Sequence, residues 1–147
     1  MRSILDKWHA DDERIVFTNG CFDLIHAGHV LLLETAARLG TKLIVGMNTD
    51  ASVRRLKGPS RPLMPQGRRA LVVGALRAVD LVLFFGEDTP LRIIKEVQPR
   101  VLVKGEDWGE DSIVGAAEVQ SWGGRVVRVP LMPEASTTML LERIRAG

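Results

Sequence analysis

Arg14-Ile15-Val16-Phe17-Thr18-Asn19-Gly20-Cys21-Phe22-Asp23-Leu24-Ile25-His26-Ala27-Gly28-His29 runs from an apolar, β-rich stretch through a glycine-bearing turn into an apolar helix. A strand that feeds a helix in this way opens a βαβ unit. Four more β-rich runs follow the first one, Arg14 to Thr18: Lys42 to Met47, Asp80 to Phe84, Val101 to Lys104 and Arg125 to Val129. Most are continuous rather than alternating, as in parallel strands covered on both faces. Helical patterns fill the intervals at His29 to Leu39, Gln66 to Val79, Thr89 to Val97 and Ile113 to Trp122, and a last one covers Ser136 to Arg145. Leu39-Gly40 and Trp122-Gly123-Gly124 mark helix ends, Asp88-Thr89-Pro90 a helix start, and Ser136 a cap. The alternation predicts a Rossmann-like, doubly wound α/β fold with a parallel five-stranded sheet, as a single domain over residues 1–147. Ligands are then expected beyond the carboxyl ends of the strands, where the strand order reverses.

Composition agrees with one soluble, packed unit. The chain has 147 residues, 46% of them hydrophobic and 26% charged, enough to bury about two-thirds of the unfolded surface. Its longest apolar stretches, Leu81 to Phe85 and Val30 to Leu33, are too short to span a bilayer, and Met1 to Asp12 has no apolar signal core. A cytoplasmic protein without a membrane partner is expected. The one cysteine, Cys21, excludes an internal disulfide.

Net charge is only +2, and the excess is local. Arg54, Arg55, Lys57, Arg61, Arg68 and Arg69 follow one another with no acid between them. Gly58, Pro59, Pro62 and Pro65 make Lys57 to Gln66 a loop. A charge run is usually a solvated face, but its place beside a Pro/Gly loop favours a functional role for Lys57. The segment lacks interleaved aromatics, so no nucleic-acid partner is expected.

The chemistry concentrates at His26 and His29. Three residues apart at a helix start, their rings can face one side, next to unpaired amides and the positive end of the dipole, where an anion binds. Gly20 lets a phosphate approach the backbone, and Gly28 lets the helix start lie close to it. Neither G-x-x-x-x-G-K-[ST] nor G-x-G-x-x-G occurs, so H-x-G-H replaces the usual phosphate loops. The same letters also suit two surface or core histidines; the position after strand one decides against that. Cys21, His26 and His29 lack the ligand number and spacing of a zinc site.

Gly20-Cys21-Phe22-Asp23 with His26-Ala27-Gly28-His29 resembles the signature of the cytidylyltransferase-like nucleotidyltransferases. Gly46-Met47-Asn48-Thr49-Asp50, Arg54-Arg55-Leu56-Lys57-Gly58, Arg77-Ala78-Val79-Asp80, Val103-Lys104-Gly105-Glu106-Asp107-Trp108 and Ser136-Thr137-Thr138 are similar, in order, to the adenylyltransferase domain that makes ADP-heptose. The similarity runs from about Ile15 to Ile144. In many relatives this domain is fused to a sugar kinase; here it is expected to stand alone.

The resemblance implies attack by the phosphate of a heptose 1-phosphate on the α-phosphorus of ATP, for synthesis of lipopolysaccharide or a related polysaccharide. At neutral pH a sugar phosphate is already anionic, its second pKa being about 6, so alignment and positive charge suffice without a general base. His26, His29 and Lys57 are the implied catalytic residues, with Lys57 on a mobile loop and the two imidazoles joining several cations and amides around the transferring phosphoryl group. Nucleotide contacts are implied for Asn19, Gly20, Cys21, Phe22, Gly28, Arg77, Gly105, Trp108, Pro130, Ser136, Thr137 and Thr138. Asp23, Asn48, Asp50, Arg54, Arg55, Lys104 and Asp107 are implied for the acceptor. Several have plainer readings: an Asx turn for Asp23, a salt bridge to Asp80 for Arg77, a core aromatic for Trp108, a helix cap for Ser136. Relatives that make CDP-glycerol carry an arginine where Leu131-Met132-Pro133-Glu134 stands. Mg2+ carried by the nucleotide phosphates and a homodimer are also implied. The rivals are a cytidylyltransferase for glycerol phosphate or another alcohol phosphate, and a nucleotide-binding module without turnover.

Overall fold

The computed structural model describes residues 2–106, 109, 112–133 and 136–147. Asp107 and Trp108, assigned above to acceptor and nucleotide, lie outside the described residues. The elements are α1 (Arg2–Ala10), β1 (Ile15–Gly20), α2 (Ala27–Ala37), β2 (Lys42–Asn48), α3 (Asp50–Lys57), α4 (Gln66–Gly74), β3 (Leu81–Phe85), α5 (Leu91–Val97), β4 (Val101–Gly105), α6 (Ala116–Ser121), β5 (Arg125–Val129) and α7 (Thr137–Ala146). The strands form one parallel sheet in the order β3-β2-β1-β4-β5. The chain winds outward from β1 to β3 and then crosses back to β4, so the order reverses between β1 and β4.

Side chains alternate across the sheet, and both faces are covered. Ile15, Phe17, Ile44 and Leu102 enter a core with Ile93, Ile94 and Val119 on one side. Val16, Leu43, Val45, Val101 and Val103 enter a second core with Leu33, Ala36 and Val73 on the other. Double coverage is the physical reason the strands read as unbroken apolar runs. Among the described residues no helix is long and apolar enough to cross a membrane.

Three elements differ from expectation. α1 was not anticipated: it buries only Leu5, with Trp8 packed against the core, so its apolar signal is too sparse to read. α3 replaces the start of the expected basic loop and puts Lys57 in its last turn. Its signals were present in the sequence. Thr49 caps the Ser52 N–H at 3.3 Å, Asp50 opens the helix, three cations close it, and Gly58 leaves at φ +97°. α4 ends at Gly74, not Val79; Leu76 and Val79 continue the apolar pattern from a turn instead.

Gly46 on β2 pairs with Asn19 and Leu83. A Cβ there would stand 2.5 Å from Phe17 Cζ, inside a core with no slack. Gly46→Ala should therefore lower stability by about 1–3 kcal/mol, read from the urea midpoint. An unchanged midpoint would mean that the Phe17 ring moves aside at no cost.

Candidate active site

Two clefts meet at the strand-order reversal. The first, of about 370 Å³, is lined by the end of β1 and the turn to Asp23, by His26, Gly28 and His29 at the start of α2, by Lys104 and Gly105 at the end of β4, and by Pro130 to Met132 with Ser136, Thr137 and Thr138 at the start of α7. The second, of about 470 Å³, lies beyond β2 and β3 and is walled by Asn48, Leu56, Phe85, Asp88, Thr89, Pro90 and Val114. Asn19, Gly20, Cys21, Lys57 and Lys104 line both. Every residue assigned above to the nucleotide borders the first cleft except Arg77 and the undescribed Trp108.

His26 is the N-cap of α2, and its backbone N–H donates to His29 Nδ1 at 3.3 Å. That bond leaves the proton of the neutral His29 ring on Nε2 as a donor. The two rings stack at 3.8 Å between centroids, and Phe22 lies against His29 at 5.2 Å. Burial holds His26 below the ordinary histidine value; burial, then the His26 ring and the Lys57 ammonium, push His29 down to about 4. Both imidazoles therefore stand as neutral donors at pH 7. Cationic character comes from Lys57, in the last turn of α3, and from the largely buried Lys104. At Cys21 burial pushes the thiol up, against the pull of Lys57 and Arg69.

Asp23 makes no Asx turn among the described residues and is bound instead by the stretch after α3. Its buried carboxylate accepts from Arg61 Nε at 2.7 Å and from the Leu63 and Met64 amides at 2.9 Å. Burial alone would raise this carboxyl, but the two amides and Arg61 outweigh it and hold it below the usual carboxylate range. The Pro/Gly stretch after α3 is thus fastened to the turn after β1, whereas the resemblance implies a mobile loop at Lys57.

The other cations divide according to partners distant in sequence. Arg69 is fully buried: Nε donates to Met64 O at 3.0 Å, Nη1 to Cys21 O at 2.5 Å, and Nη2 to Asn48 O at 2.9 Å and Asp50 Oδ1 at 2.8 Å. Asp50 is consumed by this pair and borders neither cleft. Arg55 is held by Asp88 Oδ1 at 2.9 Å and by Gly86 O, and Arg54 is exposed away from both clefts. Arg77 sits elsewhere, in a shallow depression with Glu34, Arg38 and Ala78. Nor does Arg77 pair with Asp80, which is bound by Lys42 at 3.7 Å and by the Leu43 N–H. The sequence had pointed to none of Thr18, Leu32, Arg61, Asp88, Thr89 and Val114 as cleft residues, although Asp88 follows a strand on the binding edge.

The model of the cytidylyltransferase-like family matches residues 17–143. The chain belongs to this family of nucleotidyltransferases. It is 56% identical over 140 residues to the bifunctional protein HldE of Magnetococcus marinus, covering 95% of this chain and 29% of that protein. It is 54% identical over 144 residues to the bifunctional protein HldE of Gluconobacter oxydans, covering 98% and 30%. The chain thus spans about 30% of the length of the curated relatives it matches. Among solved structures, the lipopolysaccharide core biosynthesis protein from Thermoplasma volcanium GSS1 superposes with a TM-score of 0.67 at 26% identity, covering 82% of this chain and 97% of that one. A protein of unknown function from Archaeoglobus fulgidus, 21% identical, shares the fold with a TM-score of 0.64 over 82% of this chain and 93% of its own.

In this nucleotidyltransferase the depressed value of His29 has a sign that can be checked. Between about 6.5 and about 4 the unfolded chain binds more protons than the folded one, so stability falls as pH is lowered through that window. NMR of the free protein should show the His29 ring neutral at pH 7 with a midpoint near 4. A midpoint at the ordinary histidine value would remove the neutral-donor description.

Proposed function

We propose that the chain transfers AMP from ATP to D-glycero-β-D-manno-heptose 1-phosphate, giving ADP-heptose and pyrophosphate for lipopolysaccharide core or related polysaccharide synthesis. The observation that carries this reading is the meeting of two clefts at shared cations, in a member of this family similar to HldE over almost the whole chain. The first cleft suits the triphosphate, because the starts of α2 and α7 turn unpaired amides and the positive ends of two helix dipoles towards it. The second suits a sugar, with Leu56, Phe85, Pro90 and Val114 for its carbon faces and Asn48, Asp88 and Thr89 for hydroxyls.

An oxygen of the acceptor phosphate attacks the α-phosphorus of ATP; the bond from that phosphorus to the bridging oxygen breaks, and pyrophosphate leaves with the electron pair. Two anions must approach each other, which cations standing between them make affordable. Lys57 and Lys104 occupy that place. The His26 and His29 rings donate to the triphosphate, His29 through Nε2. Magnesium enters with the nucleotide: the Asp23 carboxylate in the first cleft is already taken by Arg61 and two amides, so the residues fit a cation held by phosphates.

Pyrophosphate release should accompany ATP and heptose 1-phosphate but not ATP and free heptose, whose hydroxyl is protonated at neutral pH and would need a positioned base. Comparable transfer to free heptose would overturn the mechanism, and turnover only with CTP and an alcohol phosphate would replace donor and acceptor. No release with any pair of the four ribonucleoside triphosphates and a panel of sugar phosphates would leave a binding module.

His26→Ala and His29→Ala should each lower kcat by roughly 10² or more with the fold retained, as for loss of a preorganised donor. Near-normal turnover in either folded variant would remove that ring from the chemistry.

A further inference from the structure

We infer that Ser52 is a positioning residue for the acceptor: its buried hydroxyl couples the floor shared by the two clefts to the 86–90 wall of the second. The inference rests on the second cleft being the acceptor site, as proposed above. Ser52 is 0% exposed inside α3, where alanine would serve the helix better and a hydroxyl must find partners. The helix does not use that hydroxyl, since the cap at its start is Thr49.

Both bonding directions of the hydroxyl leave the helix start and cross to other segments. Ser52 Oγ donates to Glu87 O at 3.1 Å and accepts from Asn48 Nδ2 at 3.0 Å. Asn48, itself 4% exposed, receives the Cys21 thiol on Oδ1 at 3.7 Å. The chain Cys21, Asn48, Ser52, Glu87 therefore runs from the junction of the clefts to the segment that carries Asp88, Thr89 and Pro90. Two further ties reach the same wall from this helix: the Thr49 N–H at its cap to Phe85 O at 3.0 Å, and Arg55 in its last turn to Asp88 and Gly86. The last turn of α3 meanwhile brings Leu56 and Lys57 into the cleft. One short helix thus sets the distance between the cation and the opposite wall. His26, His29 and α7 stand outside this chain of bonds, which touches the first cleft only at Cys21, so its loss acts mainly on the acceptor.

The test compares Ser52→Ala and Arg55→Ala with the wild-type chain by steady-state kinetics in ATP and heptose 1-phosphate, and by amide hydrogen exchange without substrate. Ser52→Ala should raise the acceptor KM by roughly five- to tenfold, the scale of one buried hydrogen bond, and leave the ATP KM within about twofold. The amides of Glu87, Asp88 and Thr89 should exchange faster while those of His29 and Val30 do not change. Ser52→Cys, which keeps a weak donor and acceptor, should recover part of the loss. Arg55→Ala, at an exposed position, should shift the same quantities in the same direction by less, and it decides the matter if Ser52→Ala does not fold. Unchanged exchange in the wall, or a rise of both KM values together, would overturn the inference. If the wild-type chain transfers nothing to heptose 1-phosphate, the proposed reaction falls, while the exchange readout still decides whether Ser52 holds the wall.

Discussion

A guanidinium sealed from solvent governs the geometry of the binding edge. Arg69 reaches from α4 to the carbonyl after β1, the carbonyl ending β2, the carboxylate opening α3 and the carbonyl preceding α4. Burying a charge is costly unless it is paired and each of its nitrogens finds an acceptor. Here those conditions are met only when the three backbone segments arrive together, so the ion fixes their relative positions. The turn that presents Cys21 and Phe22, the helix that carries Lys57 and the Pro/Gly stretch latched to Asp23 inherit their places from it.

Electrostatics at the site then divide into two kinds. Burial keeps both imidazoles neutral, reinforced at His29 by the His26 ring and Lys57, so they offer directed N–H dipoles. The lysines, shared between the clefts, offer net charge. A dipole aimed at a developing anion and a charge lying between two anions are different devices. In the proposed reaction the first serves the triphosphate and the second the approach of the two substrates.

Strands were legible in the sequence because double-sided burial leaves unbroken apolar runs, and their observed limits lie within two residues of those expected. The H-x-G-H start of α2 was legible because strand, turn and helix adjoin in the chain. The basic run was not. Six cations that look alike in one dimension have separate fates: Arg69 buried on Asp50, Arg61 on Asp23, Arg55 on Asp88, Lys57 in the clefts, Arg54 and Arg68 exposed. Their partners stand 38, 19 and 33 residues away for Arg61, Arg69 and Arg55, and no local pattern encodes such pairings. Arg77 shows the converse. It matches a motif in sequence, yet the turn after α4 carries it to a different depression.

The central position of β1 also bears on the order in which the molecule is assembled. β1 can pair with β2 soon after both emerge during synthesis, but its other edge waits for β4. The Thr18 hydroxyl and Val103 O, whose bond closes the reversal point, are separated by 85 residues. Until that span is complete, Val16 and Phe17 lie on an open strand edge that another chain can occupy. Closing so long a loop is slow compared with local pairing. The first cleft therefore comes into being late, in the same event that protects the sheet from intermolecular pairing.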